Sequence, residues 1–160
     1  MADLCLLPDS HVHTARKMYL DVGGIAKGYA VDRAVQTLQE SGVTSGYVNA
    51  GGDLRVFGDY KHDVHLRSPL PPHQIFKVGQ MQDASMATSG DYWVIDEASG
   101  ITGHLVDPLE RQPISTARSY TVVAAECVVA DALTKIFALT KNAKHPTIQA
   151  FGGVGLELFS

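Results

Sequence analysis

The chain has 160 residues, of which 45% are hydrophobic and 19% charged, with a formal net charge of -4. That composition belongs to a folded globular domain and excludes a disordered chain, and the acidic balance excludes a basic surface for nucleic-acid phosphates. The length favours one domain over residues 1–160 with room for a sizeable core.

The first ten residues lack a basic segment followed by an apolar one, so they do not read as a signal peptide. Residues 18–21 read as a short strand that Gly23 and Gly24 break. From Ile25 the spacing predicts a helix with Ile25, Tyr29, Ala34 and Leu38 along one side, and Gly42 stops it. Residues 45–49 read as a strand entering the turn Ala50-Gly51-Gly52-Asp53, and residues 54–57 as the next strand, ended by Gly58-Asp59. Residues 63–67 alternate like a strand, and Pro69, Pro71 and Pro72 make residues 68–73 a loop of limited freedom. Residues 76–78 and 85–88 are strand-like, Ser89-Gly90-Asp91 is a turn, and residues 92–95 resume a strand. A second turn region covers 97–103, before His104-Leu-Val-Asp-Pro108.

Residues 120–125 form a strand rich in β-branched side chains. Residues 126–140 read as a helix with Val129, Leu133 and Ile136 on its apolar side. Residues 148–159 read as a strand, a turn at Gly152-Gly153 and a final strand. No apolar run is long enough to cross a bilayer. Cys5 and Cys127 make no disulfide framework, and Cys127, inside an apolar run, reads as a small buried residue. Strands outnumber helices and hairpins predominate. The fold class is α/β, layered in the α+β manner, with a mixed sheet and two main helices.

Five short segments carry polar groups and glycines where chemistry could reside. Asp21-Val-Gly-Gly-Ile-Ala-Lys-Gly-Tyr-Ala30 places glycines and Lys27 at a helix start, where free N–H groups suit a phosphate. A plain glycine turn is the competing reading. Asn49-Ala-Gly-Gly-Asp53 suits a phosphate or sugar edge, or is a hairpin turn. Ala87-Thr-Ser-Gly-Asp-Tyr92 offers two hydroxyls, or is a turn bonded to its own backbone. His104, between a turn and a proline, can act as a base near neutral pH, or is a surface residue. In Ala130-Asp-Ala-Leu-Thr-Lys135 the side chains of Asp131, Thr134 and Lys135 share one helix side. A carboxylate and a hydroxyl there can hold a hard cation, or Asp131 pairs with Lys135 on a solvated face. The pairs His11/His13 and His62/His65 have no third ligand at suitable spacing.

Taken in order, the series D-V-G-G-I-A-K-G-Y-A-V-D-R-A, V-N-A-G-G-D-L, A-T-S-G-D-Y, H-L-V-D-P and C-V-V-A-D-A-L-T resembles the C-terminal portion of the ApbE family of FAD:protein FMN transferases, from about Tyr19 onward. The resemblance implies a fold related to the T-fold and a magnesium-dependent transfer of FMN from FAD to a threonine or serine hydroxyl of a target flavoprotein, with release of AMP. It implies an exported, often lipid-anchored location. By the same resemblance Asp131, the Ala26 carbonyl and Thr134 would hold the metal, and His104 would act with Asp131 in catalysis. Lys27, Asn49, Gly51, Gly52, Asp53, Thr88, Ser89, Gly90 and His104 would line the FAD site.

Two departures from the family pattern stand out. The metal-binding threonine is expected four residues after the aspartate, where this chain has Lys135, and Thr134 is the expected substitute one place earlier. A lysine there repels a metal ion. The family's N-terminal segment, which contributes to the core and to the adenine side of the pocket, is expected to be absent. Open sheet edges would then favour a homo-oligomer. The alternative to a transferase is a truncated, non-catalytic FAD- or nucleotide-binding module, and a third reading is an interaction domain with no ligand.

Overall fold

The computed structural model describes residues 3–67, 74–90, 105–114 and 118–158. In chain order the elements are β1 (Leu4–Leu6), β2 (Val12–Thr14), α1 (Ala26–Glu40), β3 (Gly46–Ala50), β4 (Asp53–Phe57), β5 (His62–Arg67), β6 (Ile75–Met81), β7 (Ala84–Gly90), β8 (Ser119–Ala124), α2 (Cys127–Thr140), α3 (Pro146–Ala150) and β9 (Val154–Leu158). The expected loop at 68–73, the turn and strand at 91–103 and His104 lie outside the described residues.

The main sheet has five strands in the order β3-β4-β7-β8-β9, and all its pairings are antiparallel. Its first reversal follows from the two glycines: Gly51 and Gly52 have φ of 65° and 101°, which a two-residue hairpin turn requires and glycine adopts without cost. Strand alternation then sorts side chains to two faces. Leu54, Val56 and Met86 point to one face and join Val64, Leu66 and Met81 of the β5–β6 ribbon in a buried apolar cluster. Tyr120 and Val122 point to the other and pack on Leu133, Phe137 and Ala138 of α2 and Ile148 of α3. Ribbon, sheet and helices thus form three layers, the α/β class read from the sequence.

The two main helices lie where the sequence places them, but α1 buries a different side. Its buried residues are Gly28, Val31 and Val35, while Ile25, Tyr29 and Leu38 are exposed. The reason is the contact with α2. A Cβ on Gly28 would stand 2.4 Å from the Cys127 carbonyl oxygen and 2.8 Å from the Asp131 Cβ, so this glycine fixes which side of α1 faces α2. Asp32, one turn further, completes the junction: its Oδ1 accepts from the Cys127 amide at 3.0 Å and its Oδ2 from the Val128 amide at 2.8 Å. A carboxylate from α1 therefore caps the first turn of α2, whose own N-cap residue, Glu126, provides no side-chain bond. Arg55 of β4 bonds the same carboxylate at 2.7 Å and ties both helices to the sheet.

Three readings of the sequence are corrected, and one element it did not reveal is added. Residues 18–21 form no strand; Tyr19 is 93% exposed, and no described strand runs beside them to supply a ladder. Ser89 and Gly90 do not turn but continue β7, opposite Tyr120 and Ser119. Ile148 lies in α3, because Pro146 suits a first helical position and the His145 ring accepts the Thr147 amide. The β1–β2 hairpin has strands of only three residues, too short to show a period in the sequence.

The Gly28 contact gives a test in which two effects have opposite signs. In an open helix, Gly→Ala stabilises by up to about 1 kcal/mol. Overpacking a closed site costs about 1–3 kcal/mol. With a Cβ 2.4 Å from a backbone oxygen, the steric term wins: Gly28→Ala lowers the thermal midpoint, by roughly 2–4 °C for each kcal/mol. An unchanged or raised midpoint in calorimetry contradicts the close approach.

Candidate functional site

The helix-facing side of the sheet, where α1 and α2 meet β4 and β7, gathers most of the charged and hydroxyl groups singled out in the sequence. Asp131 is at its centre and is only 1% exposed. Its Oδ2 accepts the Gly28 amide at 3.0 Å, across the gap that the missing Cβ leaves. Its Oδ1 pairs with the Lys135 ammonium, which also bonds the Asp131 carbonyl oxygen at 3.0 Å. The Asp131–Lys135 pair thus exists, but the carboxylate is buried and not on a solvated face. The lysine stem runs past Gly24, its Cε 3.5 Å from where a Cβ would stand, which is ordinary van der Waals contact.

Thr134 is fully buried beside this pair. Its hydroxyl donates to the Asp131 carbonyl at 2.7 Å, so the Ser89 hydroxyl, 2.7 Å away, donates to Thr134. This contact crosses from α2 to β7. Thr88 lies on the opposite face of the strand and bonds Thr121 at 2.8 Å, so it does not belong to the same cluster.

Lys27 and Asp53 form a second ion pair at 2.6 Å. The aspartate is fully buried and the lysine half exposed. Asp53 Oδ1 has no hydrogen-bond partner among the described residues. Burial raises the Asp53 pKa; the Lys27 hydrogen bond opposes the shift, and the negative charge of Asp131 adds to it. Two buried carboxylates that sense one another, each with its own lysine, therefore form one cluster. Cys127 borders it, and its thiol is pushed up to about 12, chiefly by burial and then by the charges of Asp53, Asp32 and Asp131. It is unreactive at neutral pH.

The turn preceding Asp53 places Asn49, Gly51 and Gly52 at the exposed tip of the β3–β4 hairpin. Asn49 Oδ1 accepts the Gly52 amide at 3.0 Å, and a Cβ on either glycine would meet nothing within 4 Å. The start of α1, by contrast, already has three of its first four amides engaged. Its Ala26 and Tyr29 amides bond Val22 and Ile25, and its Gly28 amide bonds Asp131. The structure therefore brings together Lys27, Asp53, Ser89, Asp131, Thr134 and Lys135, with the hairpin tip next to Asp53. Gly90 ends β7 beside Ser89, and His104 is outside the described residues. A separate cavity of about 410 Å³ lies between α1 and the start of α2, lined by Tyr29, Arg33, Gln36, Arg55 and Glu126 among others, and contains none of the clustered residues.

Asp32 and Arg55 were given no role from the sequence. Asp32 belongs to the glycine-rich segment, and its position one helical turn past Gly28 was the available signal.

The metal that the resemblance implies can be tested against these donors. Magnesium needs near-octahedral oxygens at about 2.0–2.1 Å. Here the Asp131 oxygens are engaged by an ammonium and an amide, and Thr134 directs its proton at a carbonyl. Ala26 opens α1, so its carbonyl enters the ladder of that helix. An ammonium held ~4 Å from a divalent ion would be repelled by roughly 8 kcal/mol at an effective dielectric constant of about 20. Among the described residues no three His, Cys, Asp or Glu side chains converge as a metal site. The donors do not fit the ion.

The raised Asp53 pKa has a definite sign. The folded state holds this proton more tightly than the unfolded chain does, so the group gains stability as pH falls. Wild type should therefore gain stability relative to Asp53→Asn between neutral pH and the ordinary carboxylate value of about 3.9. Thermal midpoints across that range check this, and a relative loss on acidification contradicts it.

The ApbE family model matches residues 3–152. The FAD:protein FMN transferase of Vibrio cholerae is 32% identical over 124 residues, covering 73% of this chain and 37% of that protein. The FAD:protein FMN transferase of Rhodobacter capsulatus is 28% identical over 158 residues, 96% of this chain and 30% of that one. Among solved structures, a mutant of the flavin transferase ApbE of Vibrio cholerae superposes with a TM-score of 0.74 at 25% identity, covering 97% of this chain and 52% of that chain. The apbe protein of Thermotoga maritima gives 0.73 at 28% identity, with 94% and 51% covered. The chain thus spans well under half the length of these curated relatives and about half of the solved chains. With the family model matching residues 3–152, the chain belongs to the ApbE family.

Proposed function

We propose that this chain carries the flavin-transferring site of an FAD:protein FMN transferase. The observation that supports this most is the clustering of Lys27, Asp53, Asp131 and Lys135 where α1, α2 and β4 meet. The segments that contribute these residues are the ones that resemble the family. In the proposed reaction the acceptor hydroxyl of a threonine or serine on a target flavoprotein attacks the phosphorus of the FMN half of FAD. A P–O bond forms to that oxygen, the diphosphate bridge breaks, and AMP leaves. Phosphoryl transfer of this kind depends on positioning and charge stabilisation rather than on covalent help from the protein.

Lys27 and Lys135 supply the positive charge for the diphosphate. The hairpin tip with Asn49, Gly51 and Gly52 lets a ligand approach the backbone closely, and Ser89 and Gly90 flank the same side. His104 keeps the role that the resemblance implies, taking the proton of the acceptor hydroxyl. Magnesium is not part of this proposal, because the donors expected for it are otherwise engaged. Among the described residues β3 and β9 are the outer strands of the main sheet. Such edges suit pairing with another chain, and a homo-oligomer is part of the proposal.

The test is direct. The chain is mixed with FAD and a target carrying an acceptor threonine, and flavin fluorescence on the denatured target is read together with AMP. Covalent flavin with AMP release is the expected result. Bound FAD without transfer would make the chain a binding module, and neither outcome would make it an interaction domain. His104→Ala should slow transfer more than it weakens FAD binding; an equal loss in both removes its proposed role as base.

A further inference from the structure

The mismatch between the expected metal and the donors present has a specific cause, the Lys135 side chain. Its ammonium contacts both the carboxylate and the carbonyl oxygen of Asp131. The side chain is 26% exposed, so Lys135 is held by a buried acid without being sealed from solvent. A lysine has three N–H donors. Two are used on Asp131, and the third has no acceptor among the described residues. The stem runs past Gly24, where an added Cβ would stand at ordinary van der Waals distance from it. The Gly28 amide engages the other carboxylate oxygen, and among the described residues Lys135 is the cation paired with Asp131.

We propose that the Lys135 ammonium, seated on Asp131, takes the place of a divalent cation in this chain, so that a dinucleotide diphosphate binds without metal. The inference rests on the flavin-site reading above for the identity of the ligand. The role of the lysine itself is separable from that reading. A single positive charge fixed by a buried carboxylate aims one N–H at a phosphate oxygen, and the carboxylate keeps the ammonium from collapsing onto another acceptor. Lys27, on Asp53, is arranged in the same way on the other side of the cluster, with one donor used.

Two measurements test this, one with metal alone and one with FAD. In the first, Mn2+ is titrated into the protein and free Mn2+ is read by its paramagnetic resonance signal. Wild type should leave the ion free, whereas Lys135→Thr and Lys135→Met should each gain one bound ion. Lys135→Met keeps an unbranched stem without the charge and serves if the shorter side chain fails to fold. In the second, FAD affinity is measured by calorimetry in EDTA and in Mg2+. Wild type should bind equally in both. Lys135→Thr should lose roughly ten- to a hundredfold in EDTA, the worth of one charged hydrogen bond, and recover with Mg2+.

A stoichiometric Mn2+ site in wild type that Asp131→Asn abolishes would overturn the proposal. So would the absence of a Mn2+ site from wild type and from both lysine variants, since the lysine would then replace nothing. FAD binding by wild type only in Mg2+ would overturn it too. Failure of FAD to bind under any condition would instead sink the flavin reading, and the Mn2+ titration would still decide the role of Lys135.

Discussion

The Asp131 carboxylate, buried and bonded to the Gly28 amide, is the contact on which the site depends. It can form only because α1 lacks a side chain at that point, which lets two helices approach within backbone distance. The same approach puts Asp32 over the first amides of α2 and brings Lys27 to Asp53. A buried ion pair is weak evidence for stability, but removing one partner from it costs about 3–5 kcal/mol because a buried charge is left uncompensated. The two acids are almost wholly buried while Lys27 is half exposed and Lys135 partly so, which makes each acid depend on its lysine more than the reverse, and the cluster holds its groups in place before any ligand arrives.

Much of the fold was legible because local signals agreed with the tertiary contacts. Gly42 and Gly51-Gly52 marked a helix end and a hairpin, and the β-branched run at β8 marked a central strand. The side that α1 buries was not legible. Ile25, Tyr29 and Leu38 are larger and more apolar than Gly28, and counting apolar residues favours them. The buried side is set instead by how closely α2 approaches, which only the pair of helices determines. Residues 18–21 look like a strand locally, yet a strand needs a neighbour. The segment from Ile148 looks extended, yet Pro146 and the His145 ring start a helix turn there.

The site was legible as a set of segments and less so as a geometry. Asp131, Thr134 and Lys135 were expected on one helix side, and they are close together. Their division of labour follows from burial. With Asp131 removed from water, the nearest cation becomes its partner, and Thr134 turns to the carbonyl and to Ser89. Thr88 and Ser89 are adjacent in sequence and belong to opposite faces of β7, which the alternation of a strand dictates once Ser89 is known to lie within it. The Asx-type bond of Asn49 and the open space over Gly51 and Gly52 agree equally with a hairpin turn and with a ligand-facing tip.

Family membership and the cluster of two acids and two lysines support the central proposal, that this chain handles a flavin dinucleotide with lysine charge at the position where a metal was expected. A crystal structure grown with FAD and Mg2+ tests it most directly. The account predicts the diphosphate against Lys135, with the ammonium still on Asp131 and no metal between them. A magnesium ion bound to Asp131, with Lys135 displaced from the carboxylate, would contradict it.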